Sequence, residues 1–282
     1  PMPGVVVGER ELGHAKTKVG KDDIVAFISD VHFPSEDTGS YRKALSILKT
    51  IKPGRVILGG DIVDLDDISR YPKRRIVQEK TLTDLRYSGE KLTEMRDTLP
   101  QAKFDFLLGN HEDRLDKYIM DKAPELKGFL DLKTLLKCTK LNIRVYPHNT
   151  VLRIGKLNYS HGDNWPGGWG MANPARSIYD KCKDNILFGH FHRISNHSSR
   201  TLRGRQQGAW GNGCLQRLDV EFNKYNNWQH GITMVYYAKS GGNFHVEQIR
   251  IHEGTNFFPE SMIEHRRDND KVPDKSKNLD RK

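Results

Sequence analysis

The stretch from Ile24 to Asp61, IVAFISDVHFPSEDTGSYRKALSILKTIKPGRVILGGD, holds two apolar runs of strand length, IVAFI and RVIL, each followed within three residues by an aspartate. Between the runs Ala44, Leu45, Ile47 and Leu48 recur at helical spacing over 34–50, and Lys52-Pro53-Gly54 stops the helix before the second strand. The stretch reads as a βαβ unit. Three later stretches repeat the strand-then-polar construction: FDFLLGNHE (104–112), KLNYSHG (156–162) and NILFGHFH (185–192). In order, the five carry Asp30, His32, Asp61, Asn110, His161, His190 and His192, which describes a metal centre at strand ends. Strands hold ligands more firmly than loops do, and open α/β sheets bind beyond their strand ends.

The donor set is imidazole and carboxylate with one amide. That mixture suits Mn, Fe, Zn or Ni rather than an all-oxygen calcium site. Seven ligands exceed what one ion needs, whereas two ions about 3.5–4 Å apart that share a carboxylate use all of them and keep positions open. Two divalent ions against Asp30 and Asp61 leave the centre cationic, so it attracts a phosphoryl group.

The blocks D-x-H, G-D, G-N-H-E, H and G-H-x-H, spread in order over 30–192, resemble those of the calcineurin-like metallophosphoesterase superfamily. The resemblance implies an α/β sandwich of two mixed β-sheets flanked by helices, with a dinuclear site of two divalent ions, Mn first and Fe, Zn, Ni or Mg as alternatives. It places Asp30, His32 and His192 on one ion, Asn110, His161 and His190 on the other, and Asp61 between them. It also pairs His111, beside Asn110, with Asp64 as a proton donor to the leaving group and the carboxylate that orients it. GGDIVDLDDISRYP, GNHEDRLDKYI, GNGCLQRLD and YNNWQHG resemble the branch encoded by bacteriophages and prophages. The phosphoprotein-phosphatase branch is similar in Arg114 but carries an arginine where this chain has Leu65, which argues against a dedicated protein phosphatase.

Around these blocks the chain alternates strand and helix and then turns β-rich. Helices are expected at 78–99, 112–123 and 131–138, another opens at Asn173-Pro174, and 231–238 and 243–251 form a hairpin. With 282 residues, 36% of them hydrophobic, one catalytic unit at 22–262 is expected, flanked by an extension at 1–21 and a charged flexible tail at 263–282. There is no membrane-length apolar run or apolar signal segment, so a cytoplasmic location is expected, host cytoplasm for a phage-encoded chain. Cys138, Cys182 and Cys214 read as free thiols.

A net charge of +10 favours polyanionic partners, nucleic acid above all. Two clusters concentrate it. Arg70, Lys73, Arg74 and Arg75 follow the second block, and Arg193, Arg200, Arg203 and Arg205 follow the last; with Arg114 they are candidate phosphate contacts, or else a solvated rim. Trp165 and Trp169 bracket a Gly-rich loop after His161, while Trp210 and Trp228 are expected in the core among strands. The leading reading is phosphodiester hydrolysis in nucleic acid or nucleotides. A phosphomonoesterase and a nucleic-acid-binding protein with structural metals are the alternatives.

Overall fold

The computed structural model describes residues 13–17, 24–69, 80–165, 171–220, 223–252 and 255–256. Its strands are β1 (Gly13–Thr17), β2 (Ile24–Ile28), β3 (Arg55–Leu58), β4 (Lys103–Leu107), β5 (Ile143–Tyr146), β6 (Thr150–Ile154), β7 (Leu157–Ser160), β8 (Ile186–Phe188), β9 (Ser195–Arg200), β10 (Gln206–Gly211), β11 (Gly231–Tyr237), β12 (Phe244–His252) and β13 (Thr255–Asn256). The helices are α1 (Thr38–Ile51), α2 (Lys80–Thr98), α3 (Asp113–Lys122), α4 (Leu132–Leu135) and α5 (Pro174–Cys182). The strands form a six-stranded sheet, β1-β6-β7-β8-β10-β9, and a seven-stranded sheet, β13-β12-β11-β2-β3-β4-β5. Both mix parallel and antiparallel pairs.

The pleat sorts each strand between two cores. In β2, Ala26 and Ile28 face the helical layer while Val25 and Phe27 face the other sheet; β3 and β4 do the same with Val56, Leu58, Phe104 and Phe106 against Ile57 and Leu107. Runs that are apolar on both faces are what a sheet buried on both sides requires. Arg55 and Asp105 also point between the sheets, where they form a buried ion pair, and Tyr146 adds a hydroxyl 3.2 Å from Asp105 Oδ1.

β2-α1-β3 is the βαβ unit of the sequence, with Val25 to Ile28 paired in parallel with Arg55 to Leu58. α1 starts at Thr38 rather than Pro34, because the Asp37 side chain caps it by accepting the Ser40 N–H at 2.7 Å. α5 likewise starts after Asn173, which caps the Arg176 N–H. Residues 78–79 of the expected second helix lie outside the described residues, and Leu82, read as part of its apolar stripe, is 52% exposed while Leu85, Leu92, Met95 and Leu99 are buried.

A larger correction concerns 1–21. Gly13–Thr17 is β1, paired in parallel with Thr150–Ile154, so part of that segment belongs to the six-stranded sheet. The rest of it, and the tail at 263–282, lie outside the described residues.

Candidate metal centre

Strand order gathers the polar side chains. β2, β3 and β4 are adjacent and parallel, as are β7 and β8, so Asp30, His32, Asp61, Asn110, His161, His190 and His192 all follow the C-terminal ends of neighbouring strands. Five of them sit in the left-handed backbone region: Asp30 (φ 57°), His32 (55°), Asp61 (52°), His190 (66°) and His192 (56°). Side-chain-bearing residues rarely adopt that conformation, and such strain concentrates at functional sites. Glycines at two turns are a matter of space: a Cβ on Gly109 would strike the Asp61 carboxylate, and one on Gly189 would lie 2.6 Å from Asp30 Oδ2.

Two groups of ligand atoms flank Asp61, which also forms a third with His32 and His111. Asp30, His32 and His192 form one, with His192 Nε2 3.2 Å from both Asp30 Oδ1 and His32 Nε2. Asp61, His161 and His190 form the other, with His161 Nε2 3.2 Å from Asp61 Oδ2 and 3.1 Å from Asn110 Oδ1. Asp61 also approaches His32 Nε2 at 3.9 Å and His111 Nε2 at 3.8 Å, which makes it the carboxylate common to both sides.

The electrostatics follow from burial and these contacts. Burial alone would raise Asp61, but His161, His111 and His32 outweigh it and hold the carboxyl well below its usual range. His192 lowers Asp30 as well, against burial. Burial, helped by His111, lowers His32, and burial with His161 beside it lowers His190 to about 4. Both are therefore neutral imidazoles, the form that ligates.

His111 stands at the edge of the centre. Its Nδ1 is 3.0 Å from Asp64 Oδ1 and 2.7 Å from Asp64 O, and its backbone N–H donates to Asp61 Oδ1 at 2.9 Å. Burial opposes charging this ring, yet Asp61 and Asp64 outweigh it and raise the pKa. Burial also opposes ionisation of Asp64, and His111 and His32 reverse this, holding it far below the carboxylate range. Arg114 places Nη2 2.8 Å from His111 Nε2 and donates from Nη1 to Asp64 O at 2.9 Å.

Two residues of the centre carried no assigned role in the sequence. Glu112, the last letter of G-N-H-E, accepts backbone N–H groups from Asp61 (2.9 Å), Ile62 (2.7 Å), Val63 (2.9 Å) and Gly109 (2.8 Å), tying the second block to the third. Trp228 lies in the loop before β11 rather than in a strand, and its ring centroid is 4.3 Å from that of His192. The run WQHG carried the signal, since Gln229 N–H donates to His192 O at 2.8 Å. Trp210 is half-buried in β10 against the inter-sheet core.

The second basic cluster does not line this centre. Arg193 spends its guanidinium on Met171 O and Ala172 O, at 2.8 and 3.0 Å. Arg200 pairs with Gln206 at the start of β10, which runs parallel to β8, so Arg200, Arg203 and Arg205 occupy the hairpin end opposite the ligands. Five residue steps along β9 are about 17 Å. Arg70, Lys73, Arg74 and Arg75 lie outside the described residues, as does Trp169.

An α/β sandwich that brings aspartates, histidines and an asparagine from five strand ends to one buried point defines a candidate metallohydrolase. The chain belongs to the calcineurin-like phosphoesterase family, whose sequence model matches residues 24–205. It is similar to the Gene 54 protein of Mycobacterium phage D29, at 23% identity over 239 residues that cover 75% of this chain and 88% of that protein. Two solved structures resemble it: Yfce, a phosphoesterase from E. coli (13% identity, TM-score 0.38, covering 81% of this chain and 100% of that one), and Chaetomium thermophilum Vps29 (11%, 0.39, 83% and 92%). Family membership makes the protein a metal-dependent hydrolase acting on phosphate esters.

The residues fit the divalent ions that the family uses. Each group offers one atom per residue with all atoms within 4.8 Å of one another. Two imidazole nitrogens 3.2 Å apart, as in His32 and His192, subtend roughly 100° at an ion about 2.1 Å from each. Among the described residues no helix is long and apolar enough to cross a membrane.

Proposed function

We propose that the chain hydrolyses phosphodiester bonds in nucleic acid or nucleotides with two divalent ions, Mn first, held by Asp30, His32 and His192 on one side, Asn110, His161 and His190 on the other, and Asp61 between. When bound, such ions supply Lewis-acid chemistry, polarising phosphoryl oxygens and making water nucleophilic at neutral pH. The observation that carries the reading is His111: its Nδ1 is fixed by Asp64 while its Nε2 is 3.8 Å from the shared carboxylate of Asp61. A ring so placed hands a proton from Nε2 to the departing alkoxide, and Asp64 stabilises the charged ring.

Arg114 sets the order of events. A guanidinium only donates, so while Nη2 sits 2.8 Å from His111 Nε2 that nitrogen accepts and carries no proton. A phosphate that draws Arg114 toward itself frees Nε2 to take a proton from solvent, which it then gives to the leaving oxygen, coupling substrate arrival to proton loading. Support for a diester comes from Leu65, which is 1% exposed where phosphoprotein phosphatases place a phosphate-gripping arginine, and from the net charge of +10. Incubating the metal-loaded protein with DNA and RNA oligonucleotides, nucleoside monophosphates and a phosphopeptide tests it. Cleavage of oligonucleotides is expected; turnover confined to monoesters rejects it.

A further inference from the structure

Among the described residues, the outer face of the six-stranded sheet is covered on one side only. α5 closes Ile186, Phe188 and Ala209 beneath Ala175, Ile178 and Tyr179. On β1, β6 and β7 the pleat sends Ala15, Leu152, Ile154, Leu157 and Tyr159 toward the inter-sheet core, so the alternate residues turn outward. Those outward residues, His14, Lys16, Arg153 and Asn158 among them, line a cleft of about 420 Å³ whose other wall is Trp165 and the end of α5 at Lys181. His14, Lys16 and Lys181 are exposed.

We propose that this cleft holds a single strand of nucleic acid beside the metal centre, a reading that rests on the phosphodiesterase function above. Charge is the first argument. Lys16, Lys181 and Arg153 face the cleft with one acid, Asp184, which Arg153 engages at 3.0 Å, so the surface is net cationic. The second is the aromatic wall: the Trp165 indole N–H is buried and meets no acceptor among the described residues, while its ring borders the open volume. Cations that follow a backbone together with an aromatic face for a base are the pattern that single strands select.

Position is the third argument. Trp165 follows the candidate ligand His161 by four residues and its backbone N–H donates to Gly162 O at 3.4 Å, so the cleft opens next to a ligand-bearing loop. β6 runs antiparallel to β7, which puts His14 and Val151 at that end and Lys16 and Arg153 two residues, about 7 Å, further along. A strand lying here enters the centre past Trp165. Free nucleotides gain nothing from the far cations, so the cleft favours polymers.

The test uses the full-length, metal-loaded protein and a labelled oligo(dT), with anisotropy read across a range of salt. Lys16→Glu with Lys181→Glu is expected to weaken binding at least about 10-fold and to lower the slope of log K against log salt by about 1.4, since each lost phosphate contact on a single strand removes about 0.7. In turnover, KM for the oligonucleotide rises relative to that for a small aryl diester. Trp165→Phe is expected to remove most of the fluorescence quenching by oligo(dT). Unchanged affinity and slope in the double variant overturn the cleft, as does equal displacement of oligo(dT) by polyglutamate. The two readings fail separately: an unchanged variant that still cleaves oligonucleotides rejects only the cleft, whereas cleft-dependent binding without cleavage by the native chain supports it and rejects the phosphodiesterase.

Discussion

His32 and His192, from opposite sheets, face each other nitrogen to nitrogen, with their Nε2 atoms 3.2 Å apart and both rings buried. Two imidazole nitrogens meet this closely only where a proton or a cation joins their lone pairs, and a divalent ion held there would couple the two sheets to metal binding. Adding Mn²⁺ to chelator-treated protein is therefore expected to raise its thermal midpoint by several degrees, and the gain should shrink in His192→Ala. An unchanged midpoint on metal addition contradicts this coupling.

Trp228 supports that pair from behind. Outer residues that orient a ligating histidine typically govern metal affinity by about 10–100-fold. Trp228→Leu should weaken one of two bound ions by about that factor and leave the other in place. Titration calorimetry reads this directly, and equal loss of both ions would assign the ring to general packing.

Glu112 should matter for folding. Glu112→Gln replaces one of two accepting oxygens by a donor in front of backbone N–H groups, with an expected cost of about 2–3 kcal/mol in a denaturant titration. A loss within experimental error would mean that the second and third blocks are joined by other contacts.

How much of this was legible depends on which force places each residue. The seven candidate ligands were readable because they follow apolar runs directly, and adjacent parallel strands then bring them together. β1 was not, because Gly13–Thr17 reads GHAKT: only Ala15 meets the core, and the strand is held by its backbone ladder to β6. For the second basic cluster the sequence left two readings open, phosphate contacts or a solvated rim, for a related reason. Charge runs do not encode direction, whereas strand polarity does, and it carries Arg200, Arg203 and Arg205 away from the centre. Glu112 stood in a quoted motif, but four backbone bonds to one carboxylate cannot be foreseen from residue spacing.

His148 gives the chain an alkaline limit. Burial opposes charging its ring, but Asp113 at 3.3 Å and Asp163 at 2.7 Å outweigh burial, and the pKa rises to about 9. A raised pKa means stability that is complete below the unfolded value of 6.5 and is lost as pH rises through about 9. The loss between pH 7 and 10 should be on the order of 2–3 kcal/mol, and His148→Gln should flatten it. A native curve as flat as the variant's would reject the assignment.

His111 is expected to act on the leaving group. His111→Gln should slow an unactivated diester by ~10²–10⁴-fold and an aryl ester with an acidic leaving group far less. Equal losses on both substrates would place the ring in binding.

The proposed bridging of two ions by Asp61 is tested most directly by metal content measured beside activity. Elemental analysis of the loaded native chain should give two divalent ions, and Asp61→Asn should lose or scramble both and with them all turnover. One ion in a fully active native chain, or an Asp61→Asn protein with near-native activity, would contradict the account.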